Sequence, residues 1–383
     1  MKPPPEARLL FATIAAGGGH VATARAMAEA VEYHYPARFG MRISDYMDEV
    51  GSTGFDRRHK LLWRWALSYP VSARLGQHLI DAMPQPAMSV QRQLLGPFAR
   101  RAAAQLERDP VDLIVSNHGL VTTGLALAKR RHALDVPVLT FATEPHDISA
   151  YWADPWADHV LVPSDAIRKT LARMGVPANK LEVVGYPVQR AFLEAKEKTA
   201  ARRLLRLEDS FTGLVSLGGE GVSASSMELI TALRTQASTL QLVVICGRNE
   251  VLKAKLLELK TPGLRVEGYV ENMADYIAAC DVVVGKAGPA SVYEALAVGR
   301  PVLVTGYAGL NERGVVQFLE RRSLGCFVRD TADLLREVRR YQAESGALDA
   351  VRERCLELGL RAQTNELAHR IVSYLREHRG EAA

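Results

Sequence analysis

Asp281-Val-Val-Val-Gly285-Lys286-Ala287-Gly288-Pro289-Ala290-Ser291-Val292-Tyr293-Glu294-Ala-Leu-Ala-Val-Gly299-Arg300-Pro301-Val-Leu-Val304 reads as a short apolar strand, a glycine turn, a helix with proline in its first turn, and a second buried strand. Strands apolar on both faces belong to parallel sheets covered by helices. The turn leaves backbone N–H groups between Gly288 and Ser291 without intrahelical partners, where the helix dipole favours an anion. Glu294, one turn further on, is placed to reach a neutral hydroxyl beside that anion. A phosphate and a sugar hydroxyl side by side describe a nucleotide. An ordinary helix start with a solvated glutamate fits these residues equally well.

The same plan recurs on both sides of this stretch. Arg8 to Ala15 is an apolar strand, and Gly17-Gly18-Gly19-His20 turns into an alanine-rich helix through about Tyr33. Thr212 to Leu217 is a strand ending in Gly218-Gly219-Glu220-Gly221. The first of these turns lacks the G-x-G-x-x-G spacing and a later acid at the expected distance, which disfavours a dinucleotide site there. Other strands end in polar loops, at the sheet edge where α/β proteins bind ligands. Val111 to Val115 leads to His118, and Val136 to Ala142 leads to Thr143-Glu144-Pro145-His146-Asp147. Leu240 to Cys246 leads to Gly247-Arg248-Asn249, and Leu264 to Val266 to Gly268-Tyr269-Val270. Met1 to Ala7 is a proline-rich lead with nothing to pack. A charged helix from Ala191 to Asp209 separates the halves, and Thr331 to Tyr341 and Leu348 to Glu377 are helical. Two sets of strand–helix units imply an α/β protein of two Rossmann-like domains, residues 1–188 and 189–383.

Composition sets the bounds. A chain of 383 residues is too long for one ordinary core. With 48% hydrophobic and 24% charged residues it has a globular composition, and its net charge of +5 is compatible with phosphate-bearing ligands or an anionic membrane. Basic residues are not gathered with aromatics into a stripe, so no nucleic-acid partner is expected. Cys246, Cys280, Cys326 and Cys355 are far apart and read as thiols rather than disulfides or zinc ligands. There is neither a D-x-D segment nor a His/Cys cluster at ligand spacing, so no metal or other cofactor is expected. Leu9 to Ala16 is too short for a signal peptide, and no run reaches the ~20 apolar residues of a spanning helix. The expected location is cytoplasmic, with peripheral attachment to the inner face of the membrane.

Gly285-Lys-Ala-Gly-Pro followed by Glu294 resembles the donor-nucleotide segment of the glycosyltransferases that make monogalactosyl- and monoglucosyl-diacylglycerol. That group is similar in turn to the enzyme that adds N-acetylglucosamine to lipid I. The resemblance runs from Gly17 to about Val328. It implies the GT-B arrangement, with parallel sheets facing a central cleft and the terminal helices crossing back to the first domain. It further implies that Glu294 holds the donor ribose of a UDP-sugar. The diphosphate would meet Gly288, Pro289 and Ala290, with Gly218, Gly219 and Gly221 against the phosphates. Gly17, Gly18, Gly19 and His20 would lie beside diphosphate and acceptor, the backbone near Tyr269 and Val270 would pair with the uracil, and Gly247 and Arg248 would be among the other donor-binding residues. Asn311 and Glu312 match residues that contact the donor sugar, with Asn311 one carbon shorter than the commoner Gln. Glu220 stands where serine is common and is expected to point away from phosphate. The reaction implied is inverting transfer of a hexose from a UDP-sugar to a lipid such as diacylglycerol. His20 is the leading base, since an unperturbed imidazole titrates near pH ~6.5. His118 and Asp147 are the reserves, and a lone His can also be a helix cap.

Between the first strands lies Phe55 to Pro70. On a helical wheel Leu61, Leu62, Trp65, Ala66 and Tyr69 share one face, with Arg57, Lys60 and Arg64 in a stripe beside it, and Pro70 would end the helix. This fits weak, salt-sensitive binding to an anionic membrane and also fits a helix docked on its own domain. Two other classes share the donor-site features: an isomerase like UDP-N-acetylglucosamine 2-epimerase, and a sugar-nucleotide-binding protein without catalysis.

Overall fold

The computed structural model describes residues 4–15, 18–52, 54, 70–216, 226–236, 240–307 and 310–381. Gly17, Gly218, Gly219, Glu220 and Gly221 lie outside the described residues, as do Arg57, Lys60, Leu61, Leu62, Arg64, Trp65 and Tyr69. The chain forms two compact units. One comprises Met1–Gln189, Ala308–Gly314 and Arg361–Ala383, the other Arg190–Tyr307 and Val315–Leu360.

The first unit holds a six-stranded parallel sheet made of β1 (Ala7–Thr13), β2 (Phe39–Asp45), β3 (Leu113–Ser116), β4 (Val138–Phe141), β5 (His159–Val162) and β6 (Leu181–Val183). Its strand order is β2-β1-β3-β4-β5-β6, so the direction of winding reverses between β1 and β3. The segment before β1 is anchored, against expectation: Glu6 pairs with Arg38 at 2.7 Å and Ala7 already belongs to the strand. The β1 side chains Leu10 and Ala12 are buried in one core cluster with Tyr46, Met47, Phe98 and Leu125. The run from 70 to 108, which lacks a strand pattern, is three helices: Pro70–Ala82, Pro84–Leu94 and Gly96–Arg108. The last helix, Leu360–Arg379, is tied into this unit. Gln363 and Thr364 accept the N–H groups of Tyr186 and Val188, and Arg370 and Arg379 pair with Glu182 and Asp112.

The second unit's parallel sheet comprises β7 (Thr212–Ser216), β8 (Gln241–Ile245), β9 (Leu264–Glu267), β10 (Val282–Lys286), β11 (Val302–Gly306) and β12 (Gly325–Phe327). The order β12-β11-β10-β7-β8-β9 is the doubly wound plan, with its switch point between β7 and β10. The buried Asp281 carboxylate fixes the lower ends of this pair, accepting the Thr212 N–H at 2.8 Å and Arg202 at 2.8 Å. A Cβ at Gly285 would stand 2.9 Å from the Ser216 carbonyl oxygen, so β10 can lie this close to β7 only with glycine there. Two expected helices are broken. The charged linker is Arg190–Leu193 and Lys198–Leu205, and the C-terminal run divides at Gly359, whose φ is +64°. All four cysteines are free thiols.

Candidate functional site

In the first unit the ends of β1, β3 and β4 bring together residues far apart in the chain. His20 is the second residue of the helix Gly19–His34 and is half-buried. Its Nδ1 lies 3.0 Å from the Asn117 carbonyl oxygen and 3.2 Å from the Thr143 hydroxyl. A carbonyl can only accept, so Nδ1 carries the hydrogen and Nε2 carries the lone pair. The Asn117 amide in turn donates to the His20 carbonyl at 2.6 Å. Its own side-chain oxygen is buried without a hydrogen-bond partner among the described residues.

His118 is buried, its ring centroid 4.7 Å from that of His20. It is the N-cap of the helix Gly119–His132, and its Nδ1 accepts the Leu120 N–H at 3.3 Å. The helix-cap role considered for His20 thus falls to His118. Its tautomer is the opposite one, with Nε2 as the donor. Of the reserves, His118 fits a donor to a ligand oxygen better than a base, while the Asp147 side chain is exposed on the loop beyond β4.

Sequence reasoning placed no role on Thr143, Asn117 or Glu144. Glu144 is buried, accepting the Tyr151 hydroxyl at 3.2 Å and the Ser149 N–H at 3.0 Å. Burial pushes its carboxyl up to about 7. Its position in a loop dense in titratable groups was the one available signal.

The second unit is built differently. Gly288 is the N-cap of the helix Pro289–Ala297 and gives it no side-chain cap. Pro289 brings no N–H, so the first-turn donors are those of Ala290 and Ser291. No described atom lies within 4 Å of where a Cβ on Gly288 would stand, which leaves the helix start open to a phosphate-sized group. Further along this helix Glu294 is half-buried, and among the described residues no side chain is hydrogen-bonded to its carboxyl. Burial alone pushes it up to about 8. Beyond β8, Gly247 takes φ +59° and Asn249 caps the helix Glu250–Glu258. The exposed Arg248 lies 5.2 Å from the ring centroid of the exposed Tyr269, beside Val270. Asn311 and Glu312, which belong to the first unit, stand in the first turn of the helix Leu310–Arg321. Among the described residues no three His, Cys, Asp or Glu gather at metal-holding distance, and no helix is long and apolar enough to cross a membrane.

Two family models match: the glycosyltransferase family 28 C-terminal domain over residues 222–312, and glycosyltransferase family 4 over 56–191. The chain is a glycosyltransferase. Its fold is GT-B, as in calicheamicin glycosyltransferase CalG4 (TM-score 0.59, 16% identity, 98% of this chain and 99% of that one). Anabaena HepE, solved in complex with UDP-glucose, aligns with a TM-score of 0.58 at 15% identity over 97% of this chain and 100% of its own. Among curated proteins, the monogalactosyldiacylglycerol synthase of Spinacia oleracea is 26% identical, covering 89% of this glycosyltransferase and 67% of its own length. Monogalactosyldiacylglycerol synthase 1 of Arabidopsis thaliana is 26% identical over 83% of this chain and 61% of its own. The chain therefore spans about two thirds of the length of these relatives.

Proposed function

We propose that this glycosyltransferase moves a hexose from a UDP-sugar to a lipid acceptor such as diacylglycerol, with inversion at the anomeric carbon. The observation that carries the donor half is Glu294. A half-buried carboxyl with no side-chain partner among the described residues, on the helix whose start is open to a phosphate, is suited to hold the two ribose hydroxyls of a nucleotide. Arg248 and Tyr269, with the backbone at Val270, form the base end, and Asn311 and Glu312 read the sugar. The lipid half is supported by the likeness to monogalactosyldiacylglycerol synthases over most of the chain.

His20 Nε2 takes the proton of the acceptor hydroxyl as its oxygen attacks the anomeric carbon from the face opposite the diphosphate. The new C–O bond forms as the bond to UDP breaks, and UDP leaves with the electron pair. Imidazolium charge is eased at Nδ1–H by the Asn117 carbonyl and the Thr143 hydroxyl. Charge growing on the diphosphate is met by the N–H groups of Ala290 and Ser291 and by the helix dipole. These fixed dipoles do the work that a metal ion does elsewhere. The enzyme attaches peripherally to an anionic membrane, with Arg57, Lys60 and Arg64 among its contacts.

A screen of UDP-sugars against a membrane lipid extract, read by mass spectrometry, tests the reading. The expected product is a hexosyl lipid formed together with UDP. Interconversion of the UDP-sugar without acceptor would instead assign an epimerase, and no UDP release under any condition would leave a binding protein.

A further inference from the structure

An acid is buried beside the two histidines of the first unit. Glu144 is 6% exposed and directly follows Thr143, whose hydroxyl lies 3.2 Å from His20 Nδ1. Its carboxyl accepts from neutral groups, the Ser149 N–H at 3.0 Å and the Tyr151 hydroxyl at 3.2 Å. Burial, with the Asp81 carboxylate adding to it, lifts this carboxyl to about 7. Keeping an acid out of water is costly, and an apolar side chain would fill the place without that cost. Acids perturbed in this way gather at functional sites.

What the carboxyl holds is the loop beyond β4, and Tyr151 is the link from it to the histidines. The Tyr151 carbonyl accepts from Gln91 at 3.3 Å, while its ring packs on the start of the helix Gly119–His132. A Cβ on Gly119 would stand 2.6 Å from that ring, so the approach requires glycine. His118 caps this helix, its ring centroid 6.0 Å from that of Tyr151 and 4.7 Å from that of His20. Asp81 fastens the same loop from the helix Pro70–Ala82, accepting the Ser149 hydroxyl at 3.1 Å and the Ala150 N–H at 2.7 Å. Glu144 therefore reaches His20 by two routes: along the chain through Thr143, and across the loop through Tyr151 and His118.

We infer that Glu144 is a positioning residue of the transfer reaction, holding Thr143 and the Tyr151 ring so that His20 and His118 keep their orientations and their opposite tautomers. The inference rests on the reading of His20 as the base. Two acceptor oxygens meet two donors that approach from different residues of one loop, which fixes the loop more firmly than apolar packing would. Glutamine can make the same two contacts, because a tyrosine hydroxyl can turn to accept an amide N–H.

The test compares Glu144→Gln, Glu144→Leu and Tyr151→Phe by turnover, by KM and by the ring nitrogen chemical shifts of His20 and His118. Glu144→Leu removes both contacts and should lower turnover roughly 10–10²-fold, the scale of loss when a reacting group is misplaced, with KM for the UDP-sugar unchanged. Glu144→Gln should return turnover to within about threefold of the parent. Tyr151→Phe should cost several-fold alone and nothing more in the Glu144→Leu background, since the two act in series. Each histidine should show one tautomer in the parent and in the Gln variant, and a mixture in the Leu variant. A Leu variant that melts lower yet keeps parental turnover and single tautomers has lost packing only, which overturns the proposal. So does a Gln variant as impaired as the Leu variant, and so do Leu and Phe effects that multiply. If Glu144→Leu fails to fold, Tyr151→Phe decides by the same readouts: parental turnover with unchanged tautomers overturns the proposal. Near-normal turnover in His20→Ala, beside mixed tautomers at His118 in the Leu variant, would remove the base reading and leave the positioning role standing.

Discussion

The two parallel sheets place their candidate sites alike, where the winding direction reverses, yet fill them in opposite ways. In the first unit the polar groups are already held by one another: His20 by Asn117 and Thr143, His118 by the Leu120 N–H, and Glu144 by Tyr151 and Ser149. In the second, the helix start at Gly288 lacks a cap and the Glu294 carboxyl lacks a side-chain partner among the described residues. A group that moves a proton must be oriented, in one tautomer, before the substrate arrives. Groups that bind a ligand are satisfied by it. The first unit therefore has the character of the chemical half of the reaction and the second that of the binding half.

Separating the two halves is the sharpest way to break this contrast. His20→Ala should lower turnover ~10²–10⁴-fold, the usual contribution of general acid–base catalysis, with UDP affinity nearly intact. Loss of UDP binding in the folded variant would abolish the division of labour. Near-normal turnover, measured where chemistry limits the rate, would move the base elsewhere.

Glu294→Ala should do the converse, weakening UDP by about 1.5–3 kcal/mol, the worth of hydrogen bonds to a charged group. The raised carboxyl adds a pH signature. Without ligand the group is largely protonated below its value of about 8, whereas ribose hydroxyls donate best to the ionised form. Binding then releases a proton, and affinity should rise with pH from 6.5 to 8, by at most roughly tenfold per unit. Glu294→Gln should flatten the slope relative to the parent; identical slopes by calorimetry would remove the carboxyl from the ribose.

Glu144 sharpens the comparison from the side of stability. Its carboxyl stands near 4.5 when unfolded and about 7 in the folded chain. The folded state therefore binds the extra proton between these values, and the associated stability is present below 4.5 and lost as pH rises through 7. Between pH 5 and 8 Glu144→Gln should lose about 2 kcal/mol less than the parent in urea unfolding. Equal losses would mean that the Tyr151 and Ser149 contacts offset burial more fully than the direction of the shift implies.

Much of this was legible in the chain because it is local. The apolar runs of β1, β7 and β10, the glycines that close them, and Glu294 on the following helix are written within short windows. What sets His20 apart is not local: Asn117 and Thr143 meet it only because β3 and β4 follow β1 in the sheet, an order no periodicity encodes. The same holds for His118, whose role depends on a helix beginning at Gly119. β12 escaped because three half-buried residues carry no pattern, and the divided C-terminal helix because a single left-handed Gly359 interrupts an otherwise continuous amphipathic run.

The smallest effect bears on what orients the base. The Asn117 carbonyl belongs to the backbone and survives any side-chain change, so Thr143 is the only one of the two His20 Nδ1 partners that substitution can remove. Thr143→Val keeps the shape and deletes the hydroxyl. With one acceptor left, the imidazolium formed during transfer is less well stabilised, by about 0.5–1.5 kcal/mol for a single hydrogen bond. Turnover should fall two- to tenfold while KM for the UDP-sugar stays put, and the acid limb of the rate profile should move to lower pH. Thr143→Ser restores the hydroxyl and should restore both. A purely structural Thr143 would lower the melting temperature in the Val variant and leave the acid limb where it was. That result would make the Asn117 carbonyl alone sufficient to fix the tautomer.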